Sequence, residues 1–262
     1  MKTWLLITDN APLRGSLNMA VDEYLFARAR KRDETFLRFY QWEKPTASLS
    51  YGQEATRAVD LDFCRANGID IVRRMTGGKV VLHLRELTYS LASSDTETFT
   101  PTLQDSYQLI SLALIKGLIL MGLSARLALA SPTAYVRGVM PCFAFPARGE
   151  VEIGGRKIIG SAQKRTGASF IQHGSVPLDK DETLLKAVAR FDGEDTGVSM
   201  TSLSDALGRP ITFDWAALRF SQGFSKFFGV KLESLSLDEK AWQEISEIEA
   251  ERYGSHTWTL RR

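Results

Sequence analysis

The amino-acid sequence predicts an α+β fold, in which a mainly antiparallel or mixed β-sheet is flanked by helices. Short apolar segments follow one another closely in the middle of the chain, whereas helical periodicity dominates near the amino terminus and after residue 181. Strands that arrive in hairpins favour such a sheet over a doubly wound fold. No linker or internal repeat divides the 262 residues, and a hydrophobic content of 44% is sufficient for a sizeable core.

Capping signals give the predicted helices their bounds. Ser16 can cap a first helix that runs to about Arg32. Thr102, followed by an acidic residue three positions later, resembles a capping box for a long helix to about Met121. The other predicted helices are 60–68, 181–191, 213–228 and 237–253.

The predicted strands are rich in β-branched and aromatic residues. Gly154-Gly155 is a plausible tight hairpin turn between two of them. The alternation in 86–92 predicts a strand with one buried face. The predicted strands are 36–42, 47–52, 69–74, 80–84, 86–92, 150–153, 156–165, 170–178 and 230–235.

Composition excludes several classes of function. A formal net charge of +2 does not support bulk nucleic-acid binding, so any basic function must be local. The apolar run 109–123 contains Lys116 and is too short to span a bilayer, which predicts no membrane segment. About four apolar residues before Asp9 are too few for a signal peptide, and two cysteines without one predict reduced thiols in the cytoplasm. Three unclustered histidines predict no metal site.

The loop after the strand 69–74 combines basic residues with two adjacent glycines. The glycines let backbone N–H groups approach a ligand, and the basic residues add positive charge. Such a loop suits a phosphate, a pyrophosphate or a carboxylate, although it is neither a Walker loop nor a Rossmann fingerprint. A β-turn with solvated basic neighbours is the alternative. The candidate binding residues are Arg73, Arg74, Thr76, Gly77, Gly78 and Lys79.

The two cysteines have different surroundings. Cys64 lies within an apolar helix pattern, and a buried cysteine there behaves as a small hydrophobe. Cys142 lies in a loop between Pro141 and Pro146, which favours an accessible thiol. A free thiol has a pKa of about 8.5, and a neighbouring cation lowers that pKa. Lys157, one hairpin strand later, is the candidate cation, although the spacing leaves a packing role for Cys142 open.

His83 and His173 each lie in an apolar predicted strand. A lone histidine in a strand is either a hydrogen-bonded core residue or a catalyst, and the local sequence leaves both interpretations open.

Several segments together carry a family resemblance. They are NMAVDE (18–23), RFYQWEKPTASLSYGQ (38–53), RRMTGGKVVLH (73–83), ELTYS (86–90), PCF (141–143), GRKIIGSAQKR (155–165) and QHGS (172–175). In this order they resemble the lipoate/octanoate branch of the biotin and lipoate protein ligase superfamily, over roughly residues 1–190. Within that branch the chain is most similar to the cysteine-dependent octanoyltransferases. It departs from the family pattern at Leu84, where an acidic residue is common, and at 144–148 after Cys-Phe.

This resemblance implies a reaction. Cys142 would carry an octanoyl thioester, and Lys157 would tune the pKa of its thiol. The donor would be octanoyl-acyl carrier protein, and the acceptor would be a lysine of a lipoyl-domain protein, the glycine-cleavage H protein. No cofactor is implied, because the donor thioester is already activated. Besides the loop residues, the implied substrate-binding residues are His83, Gly160, Ser161, Ala162, Gln163, His173 and Gly174.

The resemblance also implies a domain arrangement. A biotin/lipoate protein ligase-like catalytic domain would span 1–190, and a helical C-terminal portion, 191–262, would pack on the same domain. The oligomeric state is left open, a monomer included.

Three other functions are alternatives. A lipoate or octanoate ligase would form an acyl-adenylate from ATP with Mg²⁺ and would use the Gly-Gly-Lys loop and Lys157. An amidotransferase would move octanoyl between lipoyl domains through the same cysteine. A catalytically inactive acyl-binding protein would not require Cys142 or Lys157.

Overall fold

The computed structural model describes residues 1–100, 102–129, 149–190 and 200–261. Cys142 lies outside these residues. The strands are β1 (Thr3–Thr8), β2 (Phe36–Tyr40), β3 (Thr46–Leu49), β4 (Asp70–Arg73), β5 (Val81–His83), β6 (Glu86–Ser93), β7 (Arg126–Leu127), β8 (Val151–Ile153), β9 (Arg156–Thr166), β10 (Ser169–Pro177) and β11 (Lys231–Ser234). The helices are α1 (Gly15–Arg32), α2 (Ala55–Ala58), α3 (Leu61–Ala66), α4 (Leu103–Leu120), α5 (Glu182–Val188), α6 (Leu203–Leu207), α7 (Phe213–Phe228), α8 (Glu239–Ile248), a π-helical turn (Glu249–Tyr253) and α9 (His256–Thr259).

The described strands form two sheets. The larger has the order β11-β1-β2-β6-β10-β9-β8-β7, with β1 parallel to both of its neighbours and the other pairs antiparallel. The smaller has the order β4-β3-β5 and is also mixed. The predicted α+β class with a mixed sheet is therefore confirmed. The separate small sheet was not predicted, because strand pairing depends on contacts between distant parts of the chain.

Helix capping was predicted correctly in one case and wrongly in another. The Thr102 hydroxyl accepts from the backbone N–H of Asp105 at 3.1 Å, as expected. By contrast, α1 begins at Gly15 without a capping side chain. The Ser16 hydroxyl instead donates to the Glu249 carboxylate at 2.5 Å, which attaches the helix to the π-helical turn.

Strand β6 was predicted to bury one face, but all eight of its residues are buried. Leu87, Tyr89 and Leu91 join the core formed with α4 and α7. On the opposite face, the hydroxyl of Ser90 donates to Asp22 of α1 at 2.8 Å, and the Glu86 carboxylate is 2.8 Å from His83. The alternating pattern misled because its polar positions are buried in a hydrogen-bonded network rather than exposed to solvent.

The C-terminal elements contribute to the same layers as the rest of the chain. Strand β11 pairs with β1, and α7 packs closely on α4. A Cβ atom at Gly223 would lie 2.7 Å from the Cα atom of Gly117, so glycine is required for this approach. Among the described residues, no helix is both long enough and apolar enough to cross a membrane.

Candidate active site

A pocket of about 420 Å³ lies where the small sheet meets β6, β9 and β10 of the large sheet. Its lining is Met19, Tyr40, Trp42, Ser48, Arg74, Gly78, Val81, His83, Thr88, Gly160, Ser161, Ala162, His173, Gly174 and Ser175. Eight of the predicted binding residues are among them: Arg74, Gly78, His83, Gly160, Ser161, Ala162, His173 and Gly174.

The register of β9 and β10 shapes one wall of the pocket. Gly174 lies opposite Ser161, and a Cβ atom at Gly174 would come within 2.6 Å of the Ser161 hydroxyl oxygen. The predicted Gln163 lies further along β9. Its amide donates to the Gln172 side chain at 3.0 Å, in a buried network that also includes Tyr89.

Arg74 holds the Gly-Gly loop in its conformation. Its Nη2 donates to the carbonyls of Gly77 at 2.8 Å and Lys79 at 2.7 Å. Its Nε donates to the hydroxyl of Thr76 at 3.2 Å, and its Nη1 donates to the carbonyl and hydroxyl oxygens of Ser48 at 2.7 and 3.1 Å. The five N–H donors of this guanidinium are thus directed at protein oxygens.

Arg73 is fully buried and joins distant segments. Its Nη1 donates to the carbonyls of Ser50 at 2.8 Å and Gln53 at 2.6 Å. Its Nε and Nη2 donate to carbonyls of the C-terminal tail, at Trp258, Thr259 and Arg261. This arginine therefore fastens the tail to the loop that follows β3.

His173 is the centre of one buried polar chain. Its Nδ1 is 3.2 Å from the Asp22 carboxylate, and its Nε2 is 2.6 Å from the Thr76 hydroxyl. Burial would raise the pKa of Asp22, but the His173 hydrogen bond and the Arg38 charge, 3.0 Å away, outweigh it and hold that pKa below its usual value. Burial is also the main reason that the pKa of His173 is lowered.

His83 is the centre of a second chain. Its Nδ1 is 2.8 Å from the Glu86 carboxylate, and its Nε2 is 2.8 Å from the Ser48 hydroxyl. Glu86 also accepts from the hydroxyls of Thr88 and Ser175. Burial would raise the pKa of Glu86, but His83 and the two hydroxyls outweigh it and keep that pKa low.

Lys157 lies on β9 and is completely buried. Its ammonium donates to the Glu150 carboxylate at 2.7 Å, and its backbone carbonyl accepts from Thr201. Cys64, the other cysteine, is buried in α3, and burial raises the pKa of its thiol to about 11. Within the described ranges, no cluster of three or more His, Cys, Asp or Glu side chains could hold a metal ion.

Comparison with known families is decisive for classification. The model of the lipoyl protein ligase A/B catalytic domain matches residues 14–225. The chain belongs to this family. The match covers the small sheet, all strands of the large sheet except β1 and β11, and every residue that lines the pocket.

Curated relatives in the family are octanoyltransferases. The chain is 34% identical to "Octanoyltransferase LipM" of Kyrpidia tusciae and 33% identical to that of Brevibacillus brevis, with complete coverage of both chains in each case. These relatives confirm the predicted enzyme class, acyltransferase.

Solved structures of the family share the fold. A lipoate-protein ligase A bound with ATP is 23% identical with a TM-score of 0.85, and 99% of each chain is covered. A second structure is that of a bi-partite lipoate protein ligase and its E2 lipoyl domain from Thermoplasma acidophilum. It is 24% identical with a TM-score of 0.82, and the match covers 100% of this chain and 98% of the other.

Sequence reasoning missed the carboxylates of the pocket network. Asp22 and Glu86 were present in the segments NMAVDE and ELTYS, but neither was selected as a candidate. Both are almost completely buried, and a buried carboxylate requires partners. The usable signal was an acidic residue within an otherwise apolar helix or strand pattern.

Proposed function

We propose that this enzyme transfers an octanoyl group from octanoyl-acyl carrier protein, through a thioester on Cys142, to a lysine of a lipoyl-domain protein, the glycine-cleavage H protein. Full-length similarity to octanoyltransferases supports the transferred group. Residues from six of the segments that carry the family resemblance converge on one pocket, and this convergence supports the site most strongly.

The pocket suits a short acyl chain. Met19, Trp42, Val81 and Ala162 give it apolar walls. An octanoyl chain buries about seven methylene and methyl groups at ~0.8 kcal/mol each, so contact with these walls contributes several kcal/mol.

Lys157 supplies a buried positive charge in the proposed reaction. The ion pair with Glu150 favours its ammonium form, and Glu150 is eight residues after Cys142 in the chain. An ammonium near the thiol stabilises the thiolate, which is the nucleophilic form. We propose that Lys157 has this role toward Cys142.

The reaction then proceeds in two balanced steps. The Cys142 thiolate attacks the donor thioester, a new C–S bond forms, the C–S bond to the carrier breaks, and the carrier leaves as a thiolate. The acceptor amine next attacks the enzyme thioester, the C–N bond forms, and the Cys142 thiolate is released. The proton that the amine loses neutralises one thiolate equivalent. Because both acyl donors are thioesters, we propose that neither ATP nor a metal takes part.

Intact-mass analysis tests the proposal directly. The chain is mixed with octanoyl-acyl carrier protein in the absence of ATP, and we expect an octanoyl adduct that hydroxylamine removes. Cys142→Ala should lose both the adduct and transfer. Cys64→Ala is the matched control and should retain both, since that thiol is buried with a raised pKa.

The same experiment separates this function from its main alternative. If wild type forms no adduct without ATP but modifies the lipoyl domain from octanoate when ATP and Mg²⁺ are added, the chain is a ligase. An adduct with octanoylated H protein as the sole effective donor would instead identify an amidotransferase.

A further inference from the structure

The exposure of the lining residues shows which end of the pocket opens to solvent. All but three of them are buried, and those three are Gly78, Ser161 and Ala162. A Cβ atom at Gly78 would lie 3.9 Å from the Cβ atom of Ala162, so the Gly-Gly loop and β9 face each other there. The mouth of the pocket therefore lies between β9 and this loop.

One row of residues across the large sheet leads from this mouth into the protein. Gly160 on β9 is opposite Ser175 on β10. Ser175 is opposite Thr88 on β6, which is in turn opposite Tyr40 on β2, and the whole row lines the pocket. Three strand spacings of about 4.8 Å separate β9 from β2, a distance of about 14 Å. Tyr40 is completely buried, so the pocket is closed at β2.

An octanoyl chain matches this depth. Seven C–C bonds of about 1.5 Å give an extended zigzag of about 9 Å. A chain whose carbonyl stays at the mouth therefore places its terminal methyl toward β2, where side chains fill the remaining distance. Three apolar lining residues that belong to one hydrophobic cluster surround this closed end, and we call them the end wall: Met19, Tyr40 and Trp42.

Two side chains of the end wall are held by hydrogen bonds. The Tyr40 hydroxyl donates to the Asp22 carboxylate at 3.1 Å. The indole N–H of Trp42 donates to the Thr88 hydroxyl at 2.7 Å, and the indole ring is stacked on His83 with centroids 3.9 Å apart. Both rings are therefore fixed parts of the wall.

Met19 differs from these two rings. It is the one residue of α1 in the lining, and its side chain is 3% exposed. A methionine side chain is unbranched, has three rotatable bonds and is positioned by packing rather than by strong hydrogen bonds. A substitution of Met19 therefore changes the depth of the pocket without removing a hydrogen bond of the end wall.

We propose that Met19 sets the longest acyl chain that the enzyme accepts, an assignment that rests on the proposed function. The terminal methyl of an octanoyl group meets the thioether of Met19. A decanoyl group must displace this side chain or leave two methylene groups unburied, and each buried methylene contributes about fourfold to binding. Replacement by alanine removes three heavy atoms and frees space for about two methylene groups.

Competition between two donors tests this assignment. Equimolar octanoyl- and decanoyl-acyl carrier protein are offered together to each enzyme, and the masses of the modified lipoyl domain give the ratio of the two products. This ratio equals the ratio of the two kcat/KM values and does not depend on the folded fraction of the enzyme. Met19→Ala should raise the decanoyl-to-octanoyl ratio about tenfold or more. Met19→Phe places a rigid ring at the closed end and should lower the octanoyl-to-hexanoyl ratio about tenfold.

Leu25→Ala is the matched control. Leu25 lies on the same helix and in the same hydrophobic cluster as Met19, is equally buried, and does not line the pocket. Its truncation should lower stability but leave both product ratios as in wild type. An unchanged decanoyl-to-octanoyl ratio in Met19→Ala, or an equal shift in Leu25→Ala, would overturn the assignment. If Met19→Ala does not fold, the hexanoyl competition with Met19→Phe decides by the same rule.

A binding measurement separates this assignment from the proposed function. Calorimetric titration with octanoate and decanoate requires no reaction, and Met19→Ala should shift the ratio of the two affinities toward decanoate by about tenfold. If wild type transfers neither acyl group from the carrier protein, the proposed function fails. A shift toward decanoate in the titration would then still support the role of Met19, and the same affinity ratio in wild type and Met19→Ala would overturn it.

Discussion

Arg73 and Arg74 are adjacent at the end of β4, yet they hold together different parts of the molecule. Arg73 donates to carbonyls at Trp258 and Thr259, about 185 positions away in the chain, and so attaches the C-terminal tail. Arg74 donates to carbonyls only three and five positions away, and to Ser48 on the neighbouring strand. Consecutive residues of an extended segment point in opposite directions, which explains the division.

The pair shows that the charge of a basic doublet does not by itself identify its partners. Two arginines before Gly-Gly predict an anion site, because the sequence displays charge but not the partners of the charge. In the structure, both guanidiniums donate to backbone carbonyls of the protein itself, and Arg74 also donates to hydroxyls. Arg73 serves chain assembly, whereas Arg74 serves the pocket. Four predictions separate these roles.

The largest effect is expected for Arg73→Ala on stability. Buried carbonyls at Ser50, Thr259 and neighbouring positions would lose their donor, so the free energy of unfolding should fall by about 3 kcal/mol or more in urea titrations. Arg57→Ala is the control, since this arginine is exposed and paired only at the surface, and it should unfold like wild type. Equal stability of the two variants would contradict the structural role of Arg73.

Arg74→Met should mainly affect catalysis. Loss of the guanidinium releases the Gly77 and Lys79 carbonyls and the hydroxyl orientations of Ser48 and Thr76, so kcat/KM for octanoyl transfer should fall ~10²-fold, equal to about 2.7 kcal/mol. The folded fraction of each variant is measured by circular dichroism, and the steady-state rates are then compared per folded molecule. A variant that folds and transfers normally would show that Arg74 does not organise the pocket.

Gly78→Ala and Gly77→Ala form a matched pair within the Arg74 loop. Gly78 has φ +97, and a Cβ atom there would lie 3.0 Å from Nη2 of Arg74. Gly78→Ala should therefore cost about 1–2 kcal/mol in unfolding free energy and lower transfer. No described atom lies within 4 Å of a Cβ at Gly77, so Gly77→Ala should be nearly neutral. The reverse order in calorimetry would contradict this loop conformation.

The smallest effect is a shift in the pKa of His173. Burial lowers this pKa most, Asp22 opposes the lowering, and the charge of Arg74 adds to it, so Arg74→Met should raise it. The pKa of His173 in the folded protein is lower than in the unfolded chain, where it is about 6.5. The unfolded chain therefore binds more protons at pH values between the two. The contribution of His173 to the stability of the folded protein is therefore fully present above about pH 6.5, and it is lost as the pH falls through the pKa of the folded state.

Titration of the imidazole resonances by NMR measures the shift, and His173→Gln assigns the signal. Acid unfolding of Arg74→Met should begin with a shallower loss of stability than that of wild type. A lower pKa of His173 in Arg74→Met would show that the guanidinium charge does not act on this ring.

Local sequence patterns were sufficient for most elements, whereas most of the predicted pocket residues came from the family resemblance. The Gly154-Gly155 turn was predicted from a dipeptide, and both glycines have positive φ, as a tight hairpin of this type requires. His83 and His173 were selected through the family resemblance, because the local sequence left a core role open for both. The predictions for Cys142 and Lys157 as catalytic residues, and for the domain division at residue 190, remain predictions.

The sequence by itself determined the α+β class, the positions of most of the longer helices and strands, and the family, because these depend on local periodicity, capping and ordered motifs. It missed β1 and the short elements β7, α2, α6 and α9. Only the tertiary structure decided that the described strands form two sheets, that all of β6 is buried, and that Arg73 and Arg74 bind protein oxygens. It alone joined Asp22 to His173 and Ser48 to His83 and Glu86. These contacts connect residues from separate elements, and buried polar groups select their partners only when the chain has brought those elements together.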